Sequence, residues 1–529
     1  MDLVSFAGPF VPELIVLGAA LLIFLLDVVG VRRNEWLATI AVTATFLGLL
    51  SVVGDLGFAP LAVLATVPSG QIDALPALGG APLYHFTSLG LIFQGIFLLS
   101  AFLVVLASAS RPSHEPGAPI FYGLLLLATL GMLLVAIASD LIFLLLAIEV
   151  TSIATYLLVG YRRRDSRSME AAMKFFIIGA LSTVLSFYGA SLLFGAYGTT
   201  NLFLIHDAGT SVGFPVLVLL GYGFLIAGLA FKVTLVPFHA WAVDVYDGAP
   251  SDVSAFLAGG TKKIGLFAFF LVFLGPVLLI APGSGGNSPF SGGPLDLGGT
   301  LSITLGVLAV ITMTVGNVLA LLQKEMKRML AYSSISQAGY MLIGIAIGSA
   351  PALTGATFQI LGHVLMKGGA FLVVAGVAGL GVGPLIDDWK GLGARRPLLG
   401  SAFALMLLSL AGVPLTIGFF SKFVLFSAAV QAQGFFVWLA VAGVLNSALS
   451  LFYYGRVLKV LFFDRGADPA PAPTVGSAAT APLPAGGLGY GRAVAIGLAA
   501  VLIVGLGLYP QPVLGAIQAA AQHFVALGA

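Results

Sequence analysis

About fourteen stretches of roughly twenty mostly apolar residues recur along the chain, and this repetition restricts the fold more than any other feature. They centre near Leu22, Thr43, Leu98, Leu127, Leu146, Leu181, Gly223, Phe267, Leu308, Leu342, Val373, Leu410, Leu445 and Leu502. Only 8% of the 529 residues are charged, against the ~25% of a soluble chain, and mean hydropathy is +1.09. The reading is an all-α integral membrane protein of about 14 transmembrane helices, because in lipid every backbone polar group must be satisfied within its own segment. The 68 glycines fit closely packed spans. With no cysteine, the chain holds no disulfide and no thiolate-bound iron–sulfur cluster. The start, "MDLVSFAGPF", lacks a basic region, so the first apolar stretch is expected to stay as a span.

The basic residues set an expected orientation. Seventeen of the 23 Lys and Arg, among them Arg32, Arg111, Arg162, Lys327, Arg396 and Arg492, fall in connections on one side. By the positive-inside rule that side is cytoplasmic and both termini lie outside. One connection on it, between the seventh and eighth spans, is instead acidic, with Asp244, Asp247 and Asp252.

The other six cations, Lys174, Lys232, Lys262, Lys263, Lys367 and Lys422, lie within spans, as does Glu149. A charge at the bilayer centre costs at least ~2.5–3.5 kcal/mol, so each needs a reason. "GLAFKVTLVPFHAW" puts Lys232 five residues before Pro237, and "AGVPLTIGFFSK" puts Pro414 eight before Lys422. A proline frees a carbonyl one turn back, and irregular backbone at this depth is tolerated only beside protein or water. Lysine with proline therefore predicts hydrated helix breaks in the seventh and twelfth spans. The bland readings are snorkelling for Lys174, or its i,i+4 pair with Glu170, and a structural hydrogen bond for His363, which shares a helix face with Lys367. The sixth span follows the fifth closely, so a Glu149–Lys174 ion pair is expected. "AMKFFIIGA" and "LMKGGAFLV" both place Met-Lys early in a span. With the two breaks they imply two five-helix units related by inversion, since an odd number of crossings reverses orientation. Expected divisions are 1–115, a three-helix segment; 116–280, the first repeat (helices 4–8); 300–463, the second; 464–489, a Pro/Ala-rich linker; and 490–529, helix 14 and a tail. His206, His239 and His363 lie in separate segments without metal-site spacing, and no phosphate loop or nucleophile triad appears.

"GLAFKVTLVPFHAWAVDVYDGAPSDVSAFLAGGTKK", "MEAAMKFFIIGALST", "LAYSSISQAGYMLIG" and "LAGVPLTIGFFSKFVLF" together resemble the antiporter-like membrane subunits of respiratory complex I, specifically subunit N, between Gly123 and Val457. The resemblance implies fourteen helices with inverted repeats and broken helices 7 and 12 at Pro237 and Pro414. It implies a proton relay through Glu149, Lys174, Lys232, Lys262 and Lys422; His239, Lys263, His363 and Lys367 are further candidates by their own place in the chain, and the resemblance assigns Lys263 no role. It further implies a non-redox subunit of a proton-translocating NADH:quinone oxidoreductase (a translocase) in a prokaryotic cell membrane. NADH, FMN, iron–sulfur clusters and quinone are then expected in partner subunits, with neighbouring membrane-arm subunits and lipid as partners and no cofactor or metal in this chain. In that scheme the Glu149–Lys174 pair is the bistable element, and protons pass from Lys232 and Lys262 to Lys422. "GHVLMKGGAF" departs from the usual N form toward the L, M and antiporter relatives, which fits an archaeal-type, ferredoxin- or F420-linked complex. The alternatives are a multisubunit Na+/H+ antiporter subunit, an energy-converting hydrogenase subunit and a purely structural scaffold.

Overall fold

The computed structural model describes residues 8–57, 82–113, 115, 117–208, 214–278, 297–464 and 488–528. The expected linker at 464–489 falls almost wholly outside them. Among the described residues, thirteen helices are long and apolar enough to cross a bilayer. Six come first: α1 (Val11–Val28), α2 (Asn34–Asp55), α3 (Ser88–Ser108), α4 (Ala118–Ala136), α5 (Leu141–Val159) and α6 (Ser166–Tyr197). The seventh span is interrupted as expected: α7 (Pro215–Val233) stops and α8 (Ala240–Gly248) resumes. Then follow α9 (Ser251–Phe256, a π turn Leu257–Thr261, and Lys262–Leu278), α10 (Leu297–Leu321), α11 (Met326–Ile347) and α12 (Ala350–His363, a π turn Val364–Gly368, and Gly369–Gly379). The twelfth span is two short helices, α13 (Pro397–Ala411) and α14 (Ile417–Gln431), before α15 (Phe435–Phe462) and α16 (Tyr490–Leu508). Thirteen long spans and this broken one match the helix count from hydropathy. The tail adds α17 (Gln511–Gly528), which packs across α12 and α3.

Burial separates the helices by role. α11 and α12 are almost wholly enclosed, whereas α6, α15 and α16 present long apolar sides outward. The enclosed helices are also the ones carrying Ser, Gln, Lys and His, since polar groups in a span must face protein rather than lipid. Close approach depends on glycine at specific crossings. A Cβ on Gly189 would come within 2.7 Å of the Gly221 carbonyl, and one on Gly228 within 2.8 Å of the Ser182 carbonyl, so α6 and α7 meet backbone to backbone.

The acidic connection resolves as a counter-charge to the basic face. Asp252, buried at the start of α9, pairs with Arg111 after α3 at 3.2 Å and with Arg492 at the start of α16 at 3.4 Å. Asp244 at α8 pairs with Lys174 of α6 at 2.9 Å and Arg328 of α11 at 3.1 Å. Lys327 donates to the carbonyls of Asp247 and Ala249 at 2.6 and 2.8 Å, closing the C-terminus of α8, where a cation also meets the helix dipole. All these helix ends therefore lie on one face, as the distribution of basic residues requires.

α8 has lost its continuation into α7, and these charges hold it in place. Burial pushes the Asp244 carboxyl up, but hydrogen bonds and charge from Lys174 and Arg328 outweigh it and hold the group below its usual value. The unfolded carboxyl titrates near 3.8, so the clamp is complete above that pH and is lost as pH falls through the lower native value. Asp244→Asn should lower stability in detergent by about 1 kcal/mol or less per half-exposed pair. A pH series of melting temperatures should show that deficit constant above pH 3.8 and narrowing below it. A deficit that changed between pH 6 and pH 8 would mean that other groups carry the clamp.

Candidate proton-transfer axis

An amine inside a span needs acceptors, and an intact helix offers few because its carbonyls are used internally. The structure meets this need where helices are interrupted. α7 ends at Thr234, in the left-handed region (φ 66°), three residues before Pro237, and the Val236–Pro237 bond is cis. The opened backbone is satisfied from outside: Val236 N donates to Thr312 Oγ1 of α10, and Trp241 Nε1 to the Phe231 carbonyl across the break. Lys232, in the last turn of α7, donates to Ser152 Oγ and has Glu149 Oε1 at 4.0 Å. Thr183 donates to the same carboxylate oxygen at 2.5 Å. A narrow pocket lined by Glu149, Ser182, Thr183, Ser186, Leu229 and Lys232 surrounds the group.

Lys174 lies elsewhere, and the expected Glu149–Lys174 pair is not formed. Lys174 is held by Glu170 at 2.7 Å and by Asp244, partly exposed at the basic face. The reason is axial. Glu149 meets α6 at Thr183, nine residues beyond Lys174, or ~13 Å at 1.5 Å per residue. Helical side chains also lean toward the N-terminus, which carries the Lys174 amine away from Glu149. The partner of Glu149 is Lys232.

The next amines meet at two π turns, a feature that recurs at functional sites. Gly259 and Gly368 let these turns touch: a Cβ on Gly259 would sit 3.5 Å from the Gly368 Cα. Lys262 donates to the Ser334 hydroxyl at 2.9 Å and to its carbonyl at 3.2 Å. Gly265, one turn further, lies against Lys232, where a Cβ would come within 2.9 Å of the Lys232 Cβ. Lys263 donates to the Ala258 carbonyl and meets His363 Nδ1, both at 2.8 Å. Lys367 donates to Ser333 Oγ at 2.5 Å. His363 and Lys367 share a helix face as expected, but each takes a different partner. His239 sits in the α7–α8 break with its buried Nδ1 unpartnered.

At the second break Gly412 (φ 92°) and Leu415 (φ 69°) turn the chain. Lys422 of α14 reaches back to cap the open end of α13, donating to the carbonyls of Leu410 at 2.8 Å and Ala411 at 3.2 Å and to Ser447 Oγ at 2.8 Å. Its amine stands 4.8 Å from the Tyr340 ring centroid, a cation–π contact. Gln337 Nε2 donates to the same Leu410 carbonyl at 3.2 Å, Gln337 Oε1 accepts from Gln359 Nε2 at 2.8 Å, and Gln359 Oε1 in turn accepts from Ser421.

One face of α11, with Ser333, Ser334, Gln337 and Tyr340, thus runs from Lys262 and Lys367 to Lys422. Sequence reasoning missed it. The available signal was polar residues at helical spacing in "AYSSISQAGY", the least apolar of the long spans. Among the described residues no three His, Asp or Glu side chains are grouped as metal ligands.

Interrupted helices carrying amines on one buried row define a class of polytopic membrane subunit. The chain belongs to the NADH:quinone oxidoreductase/Mrp antiporter transmembrane family, whose model matches residues 138–283 and 290–450. Several similar relatives are N subunits. It is 37% identical over 521 residues to subunit N of the F420H2 dehydrogenase of Methanosarcina mazei, covering 95% of each chain. It is 39% identical over 464 residues to NADH-quinone oxidoreductase subunit N of Trichlorobacter lovleyi, covering 86% of this chain and 88% of the relative. Among solved structures, a chain of Thermus thermophilus respiratory complex I aligns with a TM-score of 0.72 at 30% identity, over 95% of this chain and 98% of that one. A chain of the Dietzia Mrp complex aligns at 0.81 with only 21% identity, over the whole of both chains, which is a likeness of fold.

Proposed function

We propose that this chain is a proton-translocating membrane-arm subunit of a complex I-type donor:quinone oxidoreductase. Its basic face would be cytoplasmic in a prokaryotic cell membrane, and electron transfer would take place in partner subunits that hold the flavin, iron–sulfur clusters and quinone. The observation that carries the reading is the row of enclosed amines, Lys232, Lys262, Lys367 and Lys422, the last three joined along α11 and all held by hydroxyls or carbonyls; among the described residues, Lys232 alone in the row has a carboxylate within 4 Å. Such partners accept a hydrogen bond from an ammonium or, at a hydroxyl, donate one to a neutral amine, so they tolerate both protonation states. Glu149 and Lys232 form the pair whose opening would start a transfer, which would proceed through Lys262 to Lys422. Lys174 with Asp244 would serve the entry face. The two breaks support the inverted pairing of helices 4–8 with 9–13.

The test uses the assembled complex in inside-out membrane vesicles. Lys422→Met should leave donor:quinone turnover in the presence of an uncoupler near wild type and reduce proton uptake per electron pair. Undiminished uptake would remove the outlet lysine, and this reading of the row, from consideration. N-type relatives with 36–39% identity favour the quinone-linked reading over a sodium/proton antiporter.

A further inference from the structure

Four aromatic rings lie between the basic face and Lys232, and the row of amines gives them no task. Phe175 of α6 stacks on Trp241 of α8, with ring centroids 4.5 Å apart and planes 10° from parallel. Phe231 of α7 lies against the same indole at 4.7 Å, and Tyr156 of α5 meets Phe175 edge-on at 4.7 Å. All four residues are buried. Their depth follows from the helices. Going inward along α6 from the basic face, Lys174 and Phe175 come first, and Thr183, which donates to Glu149, lies about two turns further. On α5, Tyr156 stands one turn nearer that face than Ser152, the partner of Lys232. The Lys232 amine is 5.6 Å from the Tyr156 ring centroid and 5.5 Å from that of Phe231, so the rings cover it from the basic side. Apolar enclosures of this kind stay dry.

The outer edge of this plug is an ion pair on the same two helices as the stack. Lys174 precedes Phe175, Asp244 lies one turn beyond Trp241, and the two charges meet at 2.9 Å with side chains 42% and 39% exposed. Water thus reaches the bridge but not the amine behind it. α8 is nine residues long and severed from α7 by the break, while Trp241 stays tethered to the Phe231 carbonyl at 3.2 Å. The indole is therefore anchored on the α7 side, and its contact with α6 is the one free to part. The Tyr156 hydroxyl gives a reason for parting. It is buried without a hydrogen-bond partner among the described residues and faces Gly179 of α6, where an added Cβ would collide with it. Water entering the plug would supply the partner that the closed arrangement lacks.

We infer that Tyr156, Phe175, Phe231 and Trp241 form an entry gate over Lys232, with the Lys174–Asp244 bridge as its latch. Closed, the rings keep the amine from the cytoplasmic water while its proton moves inward. When the bridge opens, α8 tilts off α6, the Phe175–Trp241 stack parts, and water connects Lys232 to the basic face. The gating role rests on the relay reading above.

The chain has no cysteine, so Leu229→Cys, in the pocket beside Lys232, supplies a single thiol behind the gate. In the assembled complex in inside-out vesicles, its labelling by methanethiosulfonate-ethylammonium added to the medium reads access from the basic face. Phe175→Ala should raise the labelling rate at least about tenfold, the factor matching a lost aromatic contact, and Trp241→Ala should do the same from the other helix. Phe175→Leu keeps an apolar plug and should stay near the parent rate. Lys174→Gln should raise labelling up to about fivefold, and Asp244→Asn at least as much, since it also frees Arg328. Asp244→Asn should add nothing to Phe175→Ala, because no plug is left to unlatch. Ser336→Cys, buried in the second half, should remain unlabelled in every background. An unchanged rate in Phe175→Ala and Trp241→Ala, or an equal rise in Phe175→Leu, would overturn the gate. Parent rates in both bridge variants would overturn the latch, and parallel labelling of Ser336→Cys would assign the effect to general loosening and defeat the proposal. Labelling reads access and not pumping, so it stands apart from the Lys422→Met measurement, in which normal proton uptake would defeat the relay reading itself.

Discussion

Lys232→Met should abolish proton translocation through this chain while sparing electron transfer in the assembled complex. Methionine matches lysine in length and is tolerated in packed interiors, so the segment keeps its shape. What disappears is the amine that joins Ser152 to the Glu149 carboxylate at 4.0 Å. Deleting one member of a buried pair typically costs 3–5 kcal/mol because a bare charge remains. Here the cost should be smaller, because Glu149 keeps the Thr183 hydroxyl at 2.5 Å and its side chain is 22% exposed. Assembly should therefore survive, and Glu149→Gln in the same chain should recover any lost stability without recovering pumping. The measurement is proton uptake per electron pair in vesicles, expected to fall by the whole share that this chain carries, beside turnover with an uncoupler, expected near wild type. Wild-type uptake in this variant would show that the opening pair lies elsewhere.

The fold was legible because lipid leaves a chain few options. Length and hydropathy give the spans, and prolines beside lysines marked both breaks, although α7 already ends at Thr234, ahead of Pro237. The partners were less legible, because they lie far apart in sequence. Lys262 finds Ser334 72 residues away and Lys263 finds His363 at 100. Neither π turn has a periodicity that distinguishes it from α-helix in a uniformly apolar stretch. Lys174 is the instructive failure. Proximity of consecutive spans made its pairing with Glu149 look cheap, yet counting the rise to Thr183 and the lean of the side chain would have put the two apart. The acidic connection has no role that the sequence alone reveals, because that role appears only once Arg111, Arg328 and Arg492 converge on it.

The breaks and the amines explain each other. Each interruption opens carbonyls that would otherwise be used within the helix, and each amine inside the protein stands where such groups, or hydroxyls, are available. Displacing a break should therefore disable its lysine without touching the lysine. Gly418 offers that experiment at the second break. It follows the first residue of α14 and lies on the end of α13, where an added Cβ would collide with the Ser409 carbonyl and come within 3.0 Å of Met366 Sδ. Its own N–H donates to Ser409 Oγ at 3.2 Å. The next two carbonyls of α13, Leu410 and Ala411, are the ones that hold Lys422. Gly418→Val must push α14 away from α13 and draw the Lys422 amine off its acceptors. Overpacking of this kind costs ~1–3 kcal/mol, and the backbone clash puts this case at the upper end. Gly455 in α15 has nothing within 4 Å of a Cβ position, so Gly455→Ala is the control and should be neutral or slightly stabilising. Gly418→Val should lower the melting temperature in detergent and reduce proton uptake as far as Lys422→Met does, with little further loss when the two are combined. Full pumping in Gly418→Val would mean that Lys422 works without the carbonyls of α13, and the link between helix break and amine would not hold.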